Sequence, residues 1–326
     1  MKKGKSGAKR FWAIWENIGV LFIFAVVLAV FTLINPQLGA PAQLLNVLLR
    51  STWVAVAAAG MTYAICSGGF DLSVGSIMSL AGCMMAKLIM ENGLPTFAAI
   101  AITLAMAVVC GLVNGLLITK LKIQPFVATL ATMLIYDGVT QTYTGNIGTF
   151  IATEKYSVLS VIGRSSFLGI PIKIWIMAAV FLLLFWVYKK TTFGIKVRAV
   201  GSNEAATRTS GINVDGTLIK VYVLTAVTAA LAAILYTATV QSASPDAGDG
   251  FELDAITAVV LGGTALSGGK GNLFGTLVGA VLVQYVTMCM NFLGAPEAMH
   301  VIITGVVLVF ALSISGIRII TQKKEA

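Results

Sequence analysis

Charged side chains are scarce in this chain of 326 residues, and their scarcity excludes a soluble domain. Asp, Glu, Lys and Arg make up 11% of the residues, whereas hydrophobic residues make up 58% and the mean hydropathy is +0.92. A globular protein of this size needs a polar shell, which this composition does not supply. The sequence therefore predicts an all-α polytopic membrane protein.

The patterns that support metal binding, disulfide bonds or catalysis are also missing. The cysteines lie in apolar runs, have no ligand-like spacing and are predicted to be buried, unreactive thiols; they are Cys66, Cys83, Cys110 and Cys289. No Ser/His, paired-Asp or His-rich arrangement occurs at membrane depth, which disfavours an intramembrane enzyme. Because the chain also lacks a GxxxxGK[ST] phosphate loop, LSGGK at 266–270 is interpreted as a coincidental likeness to the LSGGQ of ATPases. No cofactor or metal is predicted in this chain.

The net charge of +9 is interpreted as an orientation signal and not as a sign of nucleic-acid binding. The N-terminal MKKGKSGAKRFW is basic and is not followed by a short apolar core with a small-residue cleavage site. Residues 1–17 are therefore predicted to be a cytoplasmic tail and not a signal peptide.

Apolar runs divide the rest of the chain into predicted membrane crossings. They lie at about 18–34, 44–66, 74–90, 96–119, 124–144, 173–188, 218–240, 272–292 and 298–315, with a short tenth run at 254–264. If all ten cross the membrane, 17 of the 22 Lys and Arg residues lie on the cytoplasmic side. Without the short crossing, the basic C-terminus would lie outside, against the positive-inside rule. We therefore predict one transmembrane domain at 18–317, with ten crossings and a cytoplasmic tail at 318–326.

The polar segment at 194–213 is predicted to contain a short helix from Ser202 to Gly211. Ser202 or Asn203 can cap its N-terminus, Glu204 favours the positive end of the helix dipole, and Gly211 supplies a left-handed stop. A helix this short needs a surface to pack against. The segment is therefore either a polar connection between two spans or a docking surface for a soluble partner.

Two alanines favour the docking interpretation. Ala205 and Ala206 form a small, flat apolar patch, which a solvated connection does not need. Arg208 lies beside this patch.

The stretch SGGFDLSVGS at 67–76 places a carboxylate between two apolar runs. Asp71 is expected to face the protein interior, cap a helix or lie near the inner surface, because a charged side chain at the bilayer centre costs about 2.5 to 3.5 kcal/mol on insertion scales. It is predicted either to cap a helix that starts near Leu72 or, together with Ser73, to contact a substrate in a transport pathway.

Glycines at helical spacing indicate close helix packing. Gly271, Gly275 and Gly279 are predicted to form a ridge on one helix face, and Gly111 and Gly115 repeat the pattern.

Three stretches together resemble the permease subunits of bacterial ribose-type ABC sugar importers. They are SGGFDLSVGS, FGIKVRAVGSNEAATRTSGINV and FELDAITAVVLGGTALSGGKGNLFGTLVGA, and the resemblance runs from about residue 18 to 315. It implies a permease with the vitamin-B12-importer architecture (type II), in which helices 2–5 and 7–10 form inverted halves. Relatives for ribose, xylose, allose, galactose and autoinducer-2 share these motifs, and ribose is the leading substrate.

The resemblance also implies partners and a location. Separate ATPase subunits would use ATP and Mg, a periplasmic or lipid-anchored binding protein would deliver sugar, and a second permease copy would complete a pore in the lipid of the inner membrane, with both termini cytoplasmic. The coupling helix that fits the ATPase would consist of Glu204, Ala205, Ala206, Arg208 and Gly211. On the outer face, where Lys155 and Lys173 also lie, Arg50 and Arg164 are the candidates for docking the binding protein.

An ion-gradient-driven secondary sugar carrier is the alternative. It is disfavoured because the sequence lacks the chain of buried ionisable residues that proton-coupled carriers use. His300 and Asp137 lie near predicted span ends and do not supply one.

Overall fold

A computed structural model describes residues 3–151 and 158–296, and positions 299, 302–306, 309 and 313 beyond them; side chains are described from residue 19 onwards. The helices are α1 Lys3–Ile34, α2 Pro41–Cys66, α3 Val74–Met90, α4 Thr96–Thr119, α5 Pro125–Thr144, α6 Val158–Arg164, α7 Ile172–Lys190, α8 Thr192–Ser202, α9 Glu204–Thr209, α10 Val214–Val240, α11 Phe251–Leu261 and α12 Leu273–Phe292, with a 3-10 turn at Pro36–Gly39. The predictions for Lys155, His300 and the tail at 318–326 fall outside the described residues, as does most of the last predicted crossing.

Within the described residues, four two-residue strands form two small antiparallel pairs between the helices. The strands are β1 Thr149–Phe150, β2 Ser166–Phe167, β3 Ile170–Pro171 and β4 Ser242–Ala243. In the first pair Thr149 lies opposite Ala243, and in the second Ser166 lies opposite Pro171. The first pair joins the segment after α5 to the segment after α10, so these two helix ends lie together.

Five of the described helices are long and apolar enough to cross a membrane: α2, α4, α7, α10 and α12. The apolar part of α1 and the whole of α3 are shorter. Helix α11 has 11 residues, a length of about 16 Å against a bilayer core of about 30 Å. The mostly helical fold and the multi-pass character are confirmed, while the count of ten crossings stays a prediction.

Helix boundaries follow the sequence signals closely. The predicted runs at 74–90 and 96–119 coincide with α3 and α4. Pro95 and Pro171 immediately precede α4 and α7, and Pro125 opens α5, where a missing N–H costs nothing. Helix α1 begins at Lys3, so the predicted tail is largely continuous with the first apolar helix.

The core lies around α2 and α10, whose faces are almost entirely buried from Val54 to Cys66 and from Thr225 to Ala238. Their many alanines allow neighbouring backbones to approach, which suits packing in lipid. Helices α4, α5 and α7 instead expose large apolar side chains, such as Phe97, Leu134 and Leu182. The four cysteines are free and buried, as predicted.

The glycines of α4 allow it to pack directly on α10. A Cβ added at Gly111 would lie 2.5 Å from the Cα of Val223, and one added at Gly115 would lie 2.8 Å from the Cα of Ile219. Both distances are too short for carbon atoms, so α4 and α10 can hold this separation only with glycine at these positions.

We expect Gly111→Ala to destabilise the purified protein, because the added methyl group meets backbone that cannot rotate away. The expected loss is about 1 to 3 kcal/mol, as for other overpacked sites, and thermal unfolding in detergent measures it. The matched control is Gly138→Ala, since a Cβ at Gly138, inside α5, meets no atom within 4 Å. Equal melting temperatures for the two variants would contradict this packing.

A second close contact joins α11 to α12. A Cβ at Gly275 would lie 1.9 Å from the carbonyl oxygen of Gly262, and one at Gly279 would lie 2.2 Å from that of Ala258. The prediction that Gly271 shares this helix face is wrong. Asn272 caps α12 by accepting a hydrogen bond from the Gly275 N–H, so the helix begins only at Leu273.

Candidate functional site

The predicted short helix exists and begins at a sharp break in the chain. Asn203 has an extended backbone (φ −165°) between α8 and α9, and its side-chain oxygen accepts a hydrogen bond from the Ala206 N–H at 2.9 Å. Ser202, the other candidate cap, instead donates its hydroxyl to the Arg198 carbonyl at 2.8 Å. Gly211 has φ +79° just beyond the helix end, as the stop signal predicted.

Helix α9 presents one continuous exposed surface. Within it only Thr207 is buried, so the other side chains are available for contact. We call the exposed residues of α9 that the sequence predicted as contacts the docking face; it consists of Glu204, Ala205, Ala206 and Arg208.

An ionic network holds α9 against the membrane helices. The Arg208 guanidinium donates from Nη2 to Glu204 Oε1 at 3.0 Å and to Asp215 Oδ1 at 2.8 Å. Hydrogen bonds to Asp215 and then to Glu204 raise the pKa of Arg208 above its ordinary value. Lys120 and Lys122 approach the same Asp215 carboxylate at 3.7 and 3.6 Å. Asp215 therefore ties α9 to the turn between α4 and α5.

Asp215 is not among the site residues that the sequence predicted. One sequence signal could have indicated it. Asp215 lies in the first turn of α10, after the N-cap Asn213, where the helix dipole favours an acidic side chain. Its three cationic neighbours come from two other parts of the chain, which local patterns do not connect.

Helix α8 is anchored on α7 through Arg198. Its Nη1 donates to the Tyr188 carbonyl at 2.6 Å, and the guanidinium lies 4.9 Å from the centroid of the Tyr188 ring. The Tyr188 hydroxyl accepts a hydrogen bond from the Gly271 N–H at 2.7 Å. Arg198 is therefore engaged within the chain, and Gly271 contacts α7 through a hydrogen bond.

Asp71 lies in a buried polar cluster between three helices. Its Oδ1 accepts hydrogen bonds from the Ser73 hydroxyl at 2.6 Å and the Ser73 N–H at 3.1 Å, and its Oδ2 accepts one from the Thr225 hydroxyl. The Ser73 oxygen in turn accepts a hydrogen bond from the Asn114 amide at 2.7 Å. Asp71, Ser73, Asn114 and Thr225 are all fully buried.

This geometry confirms that Asp71 faces the interior, but the predicted helix start near Leu72 is wrong. Helix α3 begins at Val74, and Ser73 occupies the N-cap position. The Asp71 carboxylate accepts hydrogen bonds from Ser73, and Leu72 and Ser73 lie in a turn. The helix therefore begins two residues later than predicted. Two residues that were not predicted as site residues join the cluster, Asn114 from α4 and Thr225 from α10.

The basic residues predicted to lie on the outer face differ in their contacts. Arg50 is exposed on α2, whereas Arg164, also exposed, donates a hydrogen bond to the Gln241 side chain. Lys173 is buried, and its Nζ lies 3.4 Å from the Thr239 hydroxyl oxygen. Both docking candidates are therefore exposed, and Arg164 is already engaged in a hydrogen bond within the chain.

A known family accounts for most of the chain. The family model of the branched-chain amino acid transport system / permease component matches residues 43–312. The chain belongs to this permease family. The match includes the Asp71 cluster, the docking face and the α11–α12 contact.

Individual relatives of this permease align over nearly its whole length. The ribose import permease protein RbsC of Escherichia coli (strain K12) is 39% identical over 316 residues, which cover 95% of this chain and 97% of that protein. RbsC of Bacillus subtilis (strain 168) is 37% identical, with 97% and 96% covered. The L-arabinose transport system permease protein AraH of Escherichia coli (strain K12) is 33% identical, with 93% and 91% covered. No solved structure matches the chain.

Family membership makes this permease a transport component and not an enzyme. Its span-length helices place it among multi-pass membrane proteins.

Proposed function

We propose that this chain is the membrane-spanning subunit of an ATP-binding-cassette importer that moves ribose across the bacterial inner membrane. The observation that carries the proposal is the end-to-end similarity to two ribose import permeases, at 39% and 37% identity. The family description names branched-chain amino acids, but the relatives that align along the whole chain are named for sugars. A monosaccharide is therefore the favoured cargo.

The docking face on α9 is the proposed contact for an ATPase subunit, which would hydrolyse ATP with Mg outside this chain. Three features support this role. The face is exposed, its two alanines offer a flat apolar surface, and the Arg208–Asp215 pair connects it to α10. Movement of the ATPase could thus reach the membrane helices through a short, ordered connection.

The proposed arrangement has ten crossings in the type II architecture with inverted halves, both termini in the cytoplasm and a second copy of the chain beside the first. The excess of basic residues in the segments assigned to the cytoplasm supports this orientation. The exposed apolar surfaces of α4, α5 and α7 supply area for lipid and for the second copy. A periplasmic or lipid-anchored binding protein would dock at the opposite face, with the exposed Arg50 and Arg164 as contacts.

Uptake of labelled ribose tests the substrate. Cells that lack their own ribose permease should regain uptake when they express this chain with its ATPase and binding protein. Excess unlabelled ribose should abolish the signal, and excess L-leucine should leave it unchanged, because a site for sugar hydroxyls does not accept an aliphatic amino acid. Competition by xylose, allose, galactose and L-arabinose ranks the other sugars. Inhibition by leucine but not by ribose would contradict the proposal.

A further inference from the structure

A glycine-rich loop packs against the end of α8 with backbone on backbone. We call residues 264–271, between α11 and α12, the glycine loop. A Cβ at Gly268 would lie 2.5 Å from the Gly201 carbonyl oxygen, and a Cβ at Gly269 would lie 2.3 Å from the Ser202 hydroxyl. In the other direction, a Cβ at Gly201 would lie 2.7 Å from the Gly269 nitrogen. The glycine loop is therefore in direct contact with Gly201 and Ser202, which immediately precede α9.

Hydrogen bonds fix the shape of this loop. The Ala265 N–H donates to the Lys270 carbonyl, and the Gly268 N–H donates to the Ala265 carbonyl, each at 3.0 Å. The Gly269 N–H donates to the Cys66 carbonyl at the end of α2, at 2.8 Å. Gly268 and Gly269 both have φ +79°, which favours glycine. The loop is thus a preformed surface, which reduces the entropy cost of binding a partner.

The exposed side chains of the glycine loop continue the docking face. Ser267 and Lys270 are exposed, and so is Ser202, which the loop touches. Within the described part of the chain, Lys270 makes no ion pair. The Glu204 carboxylate on α9 is paired with Arg208 and not with Lys270. A partner that covers α9 therefore meets an unpaired cation beside it, at the edge of the contact.

We propose that the glycine loop is a second contact for the ATPase subunit, in which Lys270 faces an acidic patch of that partner. This inference rests on the proposed function and extends the docking face from α9 to residues 266–270. The partner surface would have to span both elements, with small side chains opposite Ala205 and Ala206 and carboxylates opposite Lys270.

Site-specific photocrosslinking tests the two contacts separately. A photoreactive amino acid is placed at Ser267, at Ala206, or at Asn92 as a control in the exposed turn between α3 and α4. The full complex is irradiated in membranes, and adducts with the ATPase are identified by mass. We expect adducts from Ser267 and Ala206 and none from Asn92.

The outcomes distinguish the inference from the function on which it rests. Adducts from Ala206 alone would overturn the second contact and leave the proposed function intact. Adducts from neither position, in a complex that still transports, would overturn the docking role of α9 as well.

Charge reversal tests the role of Lys270. Lys270→Glu should weaken ATPase binding about tenfold at low salt, with a smaller difference at high salt, because rim charges act through screened attraction. Lys220→Glu makes the same charge change at an exposed site on α10 and should leave binding unchanged. Titration of the detergent-purified permease with ATPase measures both. Equal affinities for the two variants at low salt would contradict the acidic patch.

Discussion

Proteoliposomes that contain this chain alone are expected to accumulate no ribose, whereas vesicles with the ATPase, the binding protein and ATP should accumulate it. The chain has no phosphate loop, so it has no means of hydrolysing ATP by itself. The difference between the two preparations should be all or none, because an uphill movement without an energy source cannot proceed. Labelled ribose trapped in the vesicles is the measurement.

The same vesicles distinguish an importer from an ion-driven carrier. A protonophore should leave accumulation unchanged, since no ion gradient enters the proposed cycle. The buried cluster supports this expectation, because the described hydrogen-bond partners of Asp71 are the hydroxyls of Ser73 and Thr225 and a backbone N–H, not a second ionisable group. A proton relay needs a chain of such groups. Uphill uptake by the chain alone that a protonophore abolishes would favour the carrier.

Ala206→Glu is expected to abolish ATPase docking while leaving the fold intact. Ala206 is exposed, and glutamate is a good helix former, so α9 should keep its structure. In the complex, however, the new carboxylate would be buried without a partner, which costs several kcal/mol. A loss of about 3 kcal/mol corresponds to more than a hundredfold in affinity. Co-purification of the ATPase and ATP-dependent uptake should both disappear.

The matched control for Ala206→Glu is Ala42→Glu. Ala42 is an exposed alanine in the first turn of α2, and an acid is tolerated at that end of a helix. The Ala42→Glu variant should co-purify with the ATPase as the unaltered permease does. Normal ATPase recovery with Ala206→Glu would remove α9 from the docking surface.

Local sequence signals predicted the helices well, because hydropathy and capping act over a few residues. Helices α3 and α4 match the apolar runs, and the Asn203 cap and Gly211 stop appear where their chemistry requires. The error at Gly271 also has a local cause. Glycines four residues apart lie on the same helix face only if all of them are inside the helix. Asn272 begins α12 after that glycine.

Local sequence signals do not predict contacts between distant parts of the chain. Thr225 lies 154 positions from the Asp71 that it contacts. The Asp215 network likewise exists only once the α4–α5 turn, α9 and α10 are packed together. The contact of Gly201 with Gly269 exists only once α8 packs against the glycine loop. The composition of the polar segment at 194–213 indicated a docking surface. It could not indicate that the glycine loop lies beside that segment.

The shortness of α11 has a consequence for biosynthesis. A helix of 11 residues with Glu252 and Asp254 in its first turn is a poor substrate for the translocon, which releases into lipid only segments of sufficient length and apolarity. Its partner α12 is of spanning length, and the Gly275 and Gly279 contacts fit the two helices together. In the proposed ten-crossing arrangement, helix α11 would enter the bilayer as one arm of a hairpin with α12. A nascent chain that ends at Leu261 has no stable place for it in lipid and should be a target for membrane quality-control proteases.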